Sequence, residues 1–273
     1  VVLGREHDVV MRRIEAVALL RMKTDINLYN GMIGRDTNFR FSDYSSIWKN
    51  SNPWRFVRRL RAKEGEPILQ AARQCNPIYQ QTTHDQLGNI HLFIDAFGSQ
   101  FRNVQMIRHP VDLVDSWMRR DLGNRFGVDP LAFTICFRHQ GHDLPLYASG
   151  WEDAYLSASP AGRCVRMIEW VWDRNQRAYL SLSESQRKQV FFIPFEDFVE
   201  RPLVHIVPLA QFLGSATTGR TNSALKRQKC PRTLHRDVTK KEQSIESQVS
   251  TEEMAIMKRL VDEYESLVLE CAR

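Results

Sequence analysis

Several common signals are missing from this sequence of 273 residues. No apolar run approaches the roughly 20 residues that a bilayer-spanning helix needs, so the sequence predicts no stable membrane insertion. The N-terminus lacks the charged region, apolar region and cleavage site of a secretion signal, which favours a cytoplasmic protein, with a luminal one open if the natural chain is longer. The five cysteines are scattered without a Cys-x-x-Cys pair, which predicts reduced thiols and no metal site.

A Gly-x-x-x-x-Gly-Lys-Ser/Thr loop is also missing, which argues against a nucleotide-dependent kinase. The hydrophobic (42%) and charged (26%) fractions are ordinary for a globular protein. The length predicts one α/β domain over residues 1–273, with irregular insertions near residues 30–75 and 121–160. A short strand is expected at residues 25–29, and an amphipathic helix is expected over residues 251–271. A net charge of +6 favours anionic partners, although charge alone does not separate a nucleotide, a nucleic acid, a sulfated glycan and a membrane surface.

The most informative stretch is a short apolar run that turns through a proline into a helix. Val104 to Ile107 is typical of a buried strand, and Pro110 is suited to the first position of the helix that follows. Arg108 stands at the junction, where a helix N-terminus favours anions, and Ser116 could add a hydroxyl donor two turns later. Local physics alone favours a surface ion-pair arginine and an ordinary helix serine.

The segment Arg108-His-Pro-Val-Asp-Leu-Val-Asp-Ser116 resembles the Arg-x-Pro-x-Asp-x-x-x-Ser segment of sulfotransferases that use 3'-phosphoadenosine-5'-phosphosulfate (PAPS). The resemblance implies that Arg108 and Ser116 bind the 3'-phosphate of the nucleotide. A second match, in the same order as in the family, is a strand with an acidic turn at 190–198 and a helix at 202–213 that ends in Phe-Leu-Gly. The family's fold implies a central, mainly parallel sheet flanked by helices, similar to the architecture of P-loop kinases.

The N-terminal Gly4-Arg5-Glu6-His7 resembles the start of the family's Gly-Arg-x-His-Ser-Gly-Thr loop, which implies that Gly4, Arg5 and His7 bind the 5'-phosphosulfate. The Ser-Gly-Thr part is absent. Three explanations are open: the loop is missing from this sequence, the sequence has been altered here, or the chain is a degenerate relative that no longer catalyses. The first is favoured, and it predicts a wide gap between His7 and Asp8.

The family also carries a catalytic base after its second strand. Residues 78–82 are predicted to form that strand, with a threonine capping a helix that runs to Phe97. The resemblance then implies that His84 takes the proton of the acceptor, as an imidazole of near-neutral pKa does well. The family's usual lysine is missing here, and a capping or core histidine is the alternative, with Glu6, His7 and His91 as other candidates for the base.

Two basic segments have more than one interpretation. The resemblance implies that Arg227 and Arg232, within the late run 226–232, close over the 3'-phosphate and the adenine, although a plain basic linker fits equally well. An earlier run of arginines between Trp54 and Lys63 falls on a predicted helix. A solvated surface is the favoured interpretation there, and a glycan-binding or nucleic-acid-binding face is the more specific alternative.

Together these features predict a PAPS-dependent sulfotransferase that transfers a sulfuryl group to a hydroxyl or an amine, without a metal. PAPS is the expected co-substrate, a glycan or a small molecule is the favoured acceptor, and no nucleic acid is expected as a partner. The alternative is a non-catalytic basic module that binds sulfated glycan or nucleic acid.

Overall fold

The computed structural model of the chain describes residues 2–3, 12–43, 45–50 and 52–271. Its strands, in chain order, are β1 (Val2–Leu3), β2 (Asn103–Ile107), β3 (Cys136–His139), β4 (His142–Pro145) and β5 (Val190–Pro194). Its α-helices are α1 (Arg13–Ile33), α2 (Pro53–Arg59), α3 (Glu66–Cys75), α4 (Ile90–Phe97), α5 (Pro110–Arg119), α6 (Leu122–Arg125), α7 (Glu152–Ser157), α8 (Pro160–Leu180), α9 (Glu184–Arg187), α10 (Phe195–Glu200), α11 (Pro202–Phe212), α12 (Gly219–Arg227), α13 (Val238–Glu246) and α14 (Thr251–Cys271).

The chain divides into two compact units. The larger unit contains, among the described residues, 2–3, 87–90 and 101–271. The smaller unit contains the described residues between 12 and 86 together with 91–100.

The larger unit holds all the strands of the described residues. Strands β2 and β5 are parallel, and the register runs from Asn103 opposite Val190 to Ile107 opposite Pro194. Strand β1 runs parallel to β3, and β3 and β4 form an antiparallel pair. The predicted mixed α/β class with parallel strand pairing is therefore confirmed, although the strands form a two-stranded and a three-stranded sheet and helix predominates.

The main core of the larger unit lies between α5, α8, α13 and α14. Helix α8 begins at Pro160, a residue suited to the first turn, and the Ser159 hydroxyl caps it by accepting a hydrogen bond from the Gly162 N–H at 3.0 Å. Apolar residues at helical spacing then turn one face of each helix inward. The buried residues of this core are Val111, Val114, Val165, Ile168, Ile245, Met257 and Leu260.

The backbones of α6 and α8 approach each other closely at Gly123. A Cβ atom placed on Gly123 would lie 2.0 Å from the carbonyl oxygen of Pro160, so only glycine allows α6 to approach the start of α8 this closely.

The smaller unit corrects two strand predictions. Residues 25–29 belong to α1, which continues to Ile33 and ends at Gly34 in the left-handed conformation (φ 80°), because the helix propagates through a short segment whose own strand preference is weak. Residues 78–82 have no regular structure and no neighbouring strand, and Ile78 is 66% exposed. The helix that was predicted to follow them begins at Ile90 and reaches Phe97 as expected.

Several predicted elements are confirmed. Strand β2, helix α5 from Pro110 and helix α14 over residues 251–271 lie where the sequence predicts them. The expected burial of β2 is wrong in part, because Val104 is 41% exposed and Met106 47%. In the segment 121–160, which was predicted to be irregular, the structure instead has a β-hairpin and two short helices. Among the described residues, no helix combines the length and the apolar character that crossing a bilayer requires.

Candidate functional site

Arg108, one of the residues predicted to bind the nucleotide, lies at the carboxyl ends of two parallel strands. Strand β2 ends at Ile107 and α5 begins at Pro110, so Arg108 and His109 form the whole connection. The side chain of His109 does not cap the helix, and its backbone N–H instead donates to Glu196 Oε1 at 3.1 Å. Because Glu196 belongs to the helix that follows β5, this bond ties together the exits of both strands.

Arg108 is half-buried at this junction. Its guanidinium carbon lies 5.3 Å from the centre of the Phe195 ring, the first residue after β5. Its Nε is buried and has no hydrogen-bond partner among the described residues. A buried donor without an acceptor is costly, so this guanidinium is suited to an anion that approaches from outside the described chain.

A buried carboxylate accepts the hydrogen bond from His109 at this junction. Glu196 is 8% exposed, and its Oε2 accepts a hydrogen bond from the Tyr264 hydroxyl at 2.8 Å. Burial and this bond raise the pKa of Tyr264, so the phenol stays a neutral donor. Burial, followed by the charge of Arg236, lowers the pKa of His109, whose ring meets Tyr264 edge-on with 5.2 Å between centroids.

A second buried carboxylate, Asp112, lies in the first turn of α5 and is 3% exposed. It accepts hydrogen bonds from Arg236 Nε and Lys241 Nζ, both at 2.6 Å. Burial opposes its ionisation, but the hydrogen bond from Lys241 and the charge and hydrogen bond of Arg236 outweigh burial and lower the pKa of Asp112. One further nitrogen of Arg236, Nη2, is buried without a hydrogen-bond partner in the described chain.

Ser116 is half-buried and lies two turns into α5, so it belongs to the same strand–helix segment as Arg108. Next to it, Asp115 pairs with Arg119 at 2.8 Å. The segment therefore carries both residues for which the sequence predicts phosphate binding, and that binding stays a prediction.

The two late arginines predicted to bind the nucleotide lie on the surface. Arg227 is exposed in the last turn of α12. Arg232 is exposed, and its Nη1 donates to the carbonyl oxygens of Gln228 at 3.2 Å and Lys229 at 3.4 Å. The Arg232 side chain thus bonds to the turn that follows α12, and binding of the nucleotide by either arginine stays a prediction.

The predicted base, His84, is exposed in a bend of the smaller unit, where its carbonyl oxygen accepts a hydrogen bond from the Thr83 hydroxyl at 3.2 Å. Its role stays a prediction. Gly4, Arg5 and His7, with the expected gap between His7 and Asp8, lie outside the described residues.

Four residues of the junction were missed by sequence reasoning: Glu196, Arg236, Lys241 and Tyr264. The position of Glu196 two residues after the end of β5 is a usable signal, because parallel strands β2 and β5 end at the same edge. Arg236 carries no local signal, since 124 residues separate it from Asp112. Among the described residues, no three histidine, cysteine or carboxylate side chains converge as metal ligands would.

No model of a known protein family, no curated protein and no solved structure matches this chain. Its function has to be inferred from the junction itself and from the family segments that the sequence resembles.

Proposed function

We propose that the chain is a sulfotransferase that moves a sulfuryl group from PAPS to an acceptor hydroxyl or amine. One observation carries the proposal: the Arg-x-Pro-x-Asp-x-x-x-Ser pattern falls on a strand–helix junction, and its arginine is half-buried with an Nε that has no hydrogen-bond partner among the described residues. A guanidinium offers paired donors that match a phosphate group. The 3'-phosphate is the anion that we assign to this position.

The proposal includes the family's finer architecture, a single domain with a central, mainly parallel sheet flanked by helices. The parallel pairing of β2 with β5 supports it, since Ile107 and Pro194 end opposite each other. In open α/β sheets, ligands bind beyond the carboxyl ends of the strands. Arg108 and Phe195 both lie directly beyond those ends.

In this proposal Arg108 and Ser116 bind the 3'-phosphate. Arg236 adds positive charge to the first turn of α5, because its Nε binds Asp112 while its Nη2 keeps a donor. Lys241 shares in neutralising Asp112, so the junction stays attractive to an anion. Gly4, Arg5 and His7 are assigned to the 5'-phosphosulfate by resemblance alone.

The proposed reaction is an in-line displacement at sulfur without a covalent enzyme intermediate. The acceptor oxygen or nitrogen forms a bond to sulfur as the bond between sulfur and the 5'-phosphate oxygen breaks. The acceptor's proton passes to the base, for which His84 is the candidate, and adenosine 3',5'-bisphosphate leaves. Positioning of the reactants and positive charge near the leaving bisphosphate supply the rate enhancement.

Calorimetric titration of adenosine 3',5'-bisphosphate into the full chain tests the proposal. We expect binding by the wild type and a loss of at least about tenfold in Arg108→Ala, since a hydrogen-bonded charge contributes about 1.5–3 kcal/mol. Arg119→Ala is the matched control, because Arg119 is an exposed arginine at the other end of α5 whose partner is Asp115. Its affinity should stay within about twofold of the wild type.

Titrations at low and physiological salt separate a specific site from general attraction to a basic protein. Equal affinities of Arg108→Ala and Arg119→Ala, or no binding by the folded full chain, would overturn the proposal and favour the non-catalytic binding module.

A further inference from the structure

The smaller unit carries a cluster of aromatic side chains that the proposed function does not use. Phe41 stacks on Trp48 with 5.3 Å between ring centroids and 12° between the planes. Trp54 meets Trp48 edge-on at 6.4 Å, and Phe39 lies 6.4 Å from it at a tilt of 56°. The Trp48 indole N–H donates to the carbonyl oxygen of Phe39 at 3.1 Å, which fixes the ring at the middle of the cluster.

This cluster is open to solvent rather than packed into a core. Phe41 is 74% exposed, Trp54 61% and Phe39 43%. Large aromatic side chains placed side by side at the surface are uncommon on a protein that binds nothing there, because their burial would be favourable.

Positive charge is concentrated in the segment that carries the cluster. Between residues 35 and 64 the sequence has eight arginines and lysines against three carboxylates, an excess of five in a chain whose whole net charge is +6. Arg35 is paired with Glu64 at 2.7 Å, and Arg59 donates to the carbonyl oxygen of Gly31 at 2.9 Å. The side chains of Arg40, Arg55 and Arg58 have no such partner among the described residues.

Two of these arginines lie close to aromatic residues of the cluster. Trp54 and Arg58 are four residues apart on α2 and so share one face of the helix. Arg40 precedes Phe41 directly, and with Phe39 it lines an open cavity of about 640 Å³ whose other walls are polar. The polar lining residues of that cavity are Arg35, Asp36, Thr37, Asn38 and Asp43.

We propose that Phe39, Phe41, Trp48, Trp54, Arg40, Arg55 and Arg58, here named the aromatic–arginine surface, form a binding site for an acidic oligosaccharide, one that carries sulfate or carboxylate groups. The arginine side chains pair with the sulfate or carboxylate groups. The exposed ring faces meet the C–H faces of the sugars, since the partial positive charge of those C–H groups is attracted to an electron-rich ring face. The inference does not rest on the proposed sulfotransferase activity.

The ring geometry favours a sugar chain over a single-stranded nucleic acid. Successive bases of a single strand stack on aromatic rings that lie roughly parallel. Here the two near-parallel rings, Phe41 and Trp48, already stack on each other. Trp54 stands at 88° to Trp48, so the exposed ring faces of Phe41 and Trp54 point in different directions. Sugar rings joined by bent glycosidic linkages can meet such faces one at a time.

The test uses the full chain and a heparin-derived octasaccharide as the probe, at physiological salt. Trp54→Ala and Arg58→Gln should each weaken binding by about fivefold or more, because one removes a ring face and the other a charge. Phe133→Ala and Lys23→Gln are the matched controls, since Phe133 is 84% exposed and Lys23 is exposed elsewhere in the chain. Both controls should stay within about twofold of the wild type.

Three comparison ligands decide the class of partner: neutral maltooctaose, a twelve-residue oligothymidylate and phosphatidylserine vesicles. We expect the octasaccharide to bind more tightly than any of them. Tighter binding of the oligonucleotide or of the vesicles, with the same dependence on Trp54, would overturn the proposal in favour of that partner. Equal losses in Trp54→Ala and Phe133→Ala, or no binding of the octasaccharide, would leave only general attraction to a basic protein and would overturn it as well.

The same variants keep this inference separate from the proposed function. Trp54→Ala should leave the binding of adenosine 3',5'-bisphosphate unchanged, and Arg108→Ala should leave the binding of the octasaccharide unchanged. Either proposal can therefore be overturned while the other stands.

Discussion

The junction between β2 and α5 in the larger unit and the aromatic–arginine surface of the smaller unit place charged and aromatic side chains in opposite settings. In the larger unit the carboxylates Asp112 and Glu196 are buried and hydrogen-bonded, and Tyr264 donates to one of them. In the smaller unit the rings of Phe41 and Trp54 are largely exposed, and Arg40, Arg55 and Arg58 have no carboxylate partner within the described part of the chain. Burial and pairing, rather than residue type, decide whether a charge or a ring stabilises the fold or remains open to a ligand.

This difference can be measured as stability. A buried group whose removal leaves a cavity or an uncompensated charge should be costly to replace, whereas an exposed group should be nearly neutral. Three pairs of substitutions, each comparing a buried group with a more exposed one, test the contrast from the largest expected effect to the smallest.

The largest contrast is between two phenylalanines. Phe137 is 8% exposed and packs with Leu144 and Met167, so Phe137→Ala should lower the free energy of unfolding by about 3–5 kcal/mol. Phe41, 74% exposed, has only the stack on Trp48 to lose, and Phe41→Ala should cost about 1 kcal/mol or less. Chemical denaturation of both variants measures the difference, and similar losses would contradict the contrast.

The second contrast is between two carboxylates. Asp112→Asn should lower the free energy of unfolding by about 3 kcal/mol, because it leaves Arg236 and Lys241 without their buried counter-charge. The control is Glu184→Gln, whose carboxylate is 87% exposed and pairs with Lys188, and its effect should stay below about 0.5 kcal/mol.

The pH dependence of the Asp112 variant provides a second check. The pKa of Asp112 is lowered from its ordinary value of 3.8. The stabilisation that the ionised carboxylate gives the folded state is therefore fully present above pH 3.8 and is lost as the pH falls through the lowered pKa of the folded state. The free energy of unfolding of the wild type should exceed that of Asp112→Asn by a constant amount near neutral pH, and this excess should become smaller in acid. A difference that widened below about pH 4 would contradict the assignment of the lowered pKa.

The local part of this junction could be predicted from the sequence. The apolar run 104–107, Pro110 and the helical spacing of Val111 and Val114 are all local signals, and strand β2 and helix α5 lie where they predict. The same holds for α14, whose buried residues recur at helical spacing from Glu253 to Tyr264.

The non-local part could not be predicted in this way. Asp112 belongs to the resembled motif, but nothing near it in sequence shows that its partners, Arg236 and Lys241, come from 124 and 129 residues further on. The partner of Glu196, Tyr264, is likewise a residue of a distant helix. Short segments without a long period were the weakest predictions: residues 25–29 were absorbed into a helix, and residues 78–82 found no strand to pair with.

The smallest contrast concerns two tyrosine hydroxyls in the larger unit. Tyr264→Phe removes the only donor to Glu196 Oε2 among the described residues and leaves that oxygen buried, so the free energy of unfolding should fall by about 1–2 kcal/mol. Tyr179 is half-buried, and its hydroxyl has no hydrogen bond within the described chain, so Tyr179→Phe should change stability by less than about 0.5 kcal/mol. Thermal or chemical unfolding of both variants gives the comparison.

A double-mutant cycle shows whether the Tyr264 hydroxyl acts through Glu196. If it does, Tyr264→Phe should cost less in a Glu196→Gln background, with an interaction energy of about 0.5 kcal/mol or more, because the carboxylate that the hydroxyl serves is gone. Additive effects would mean that the hydroxyl stabilises the protein in another way. The contrast between buried, paired groups and exposed ones would then have to rest on Asp112 and Phe137 alone.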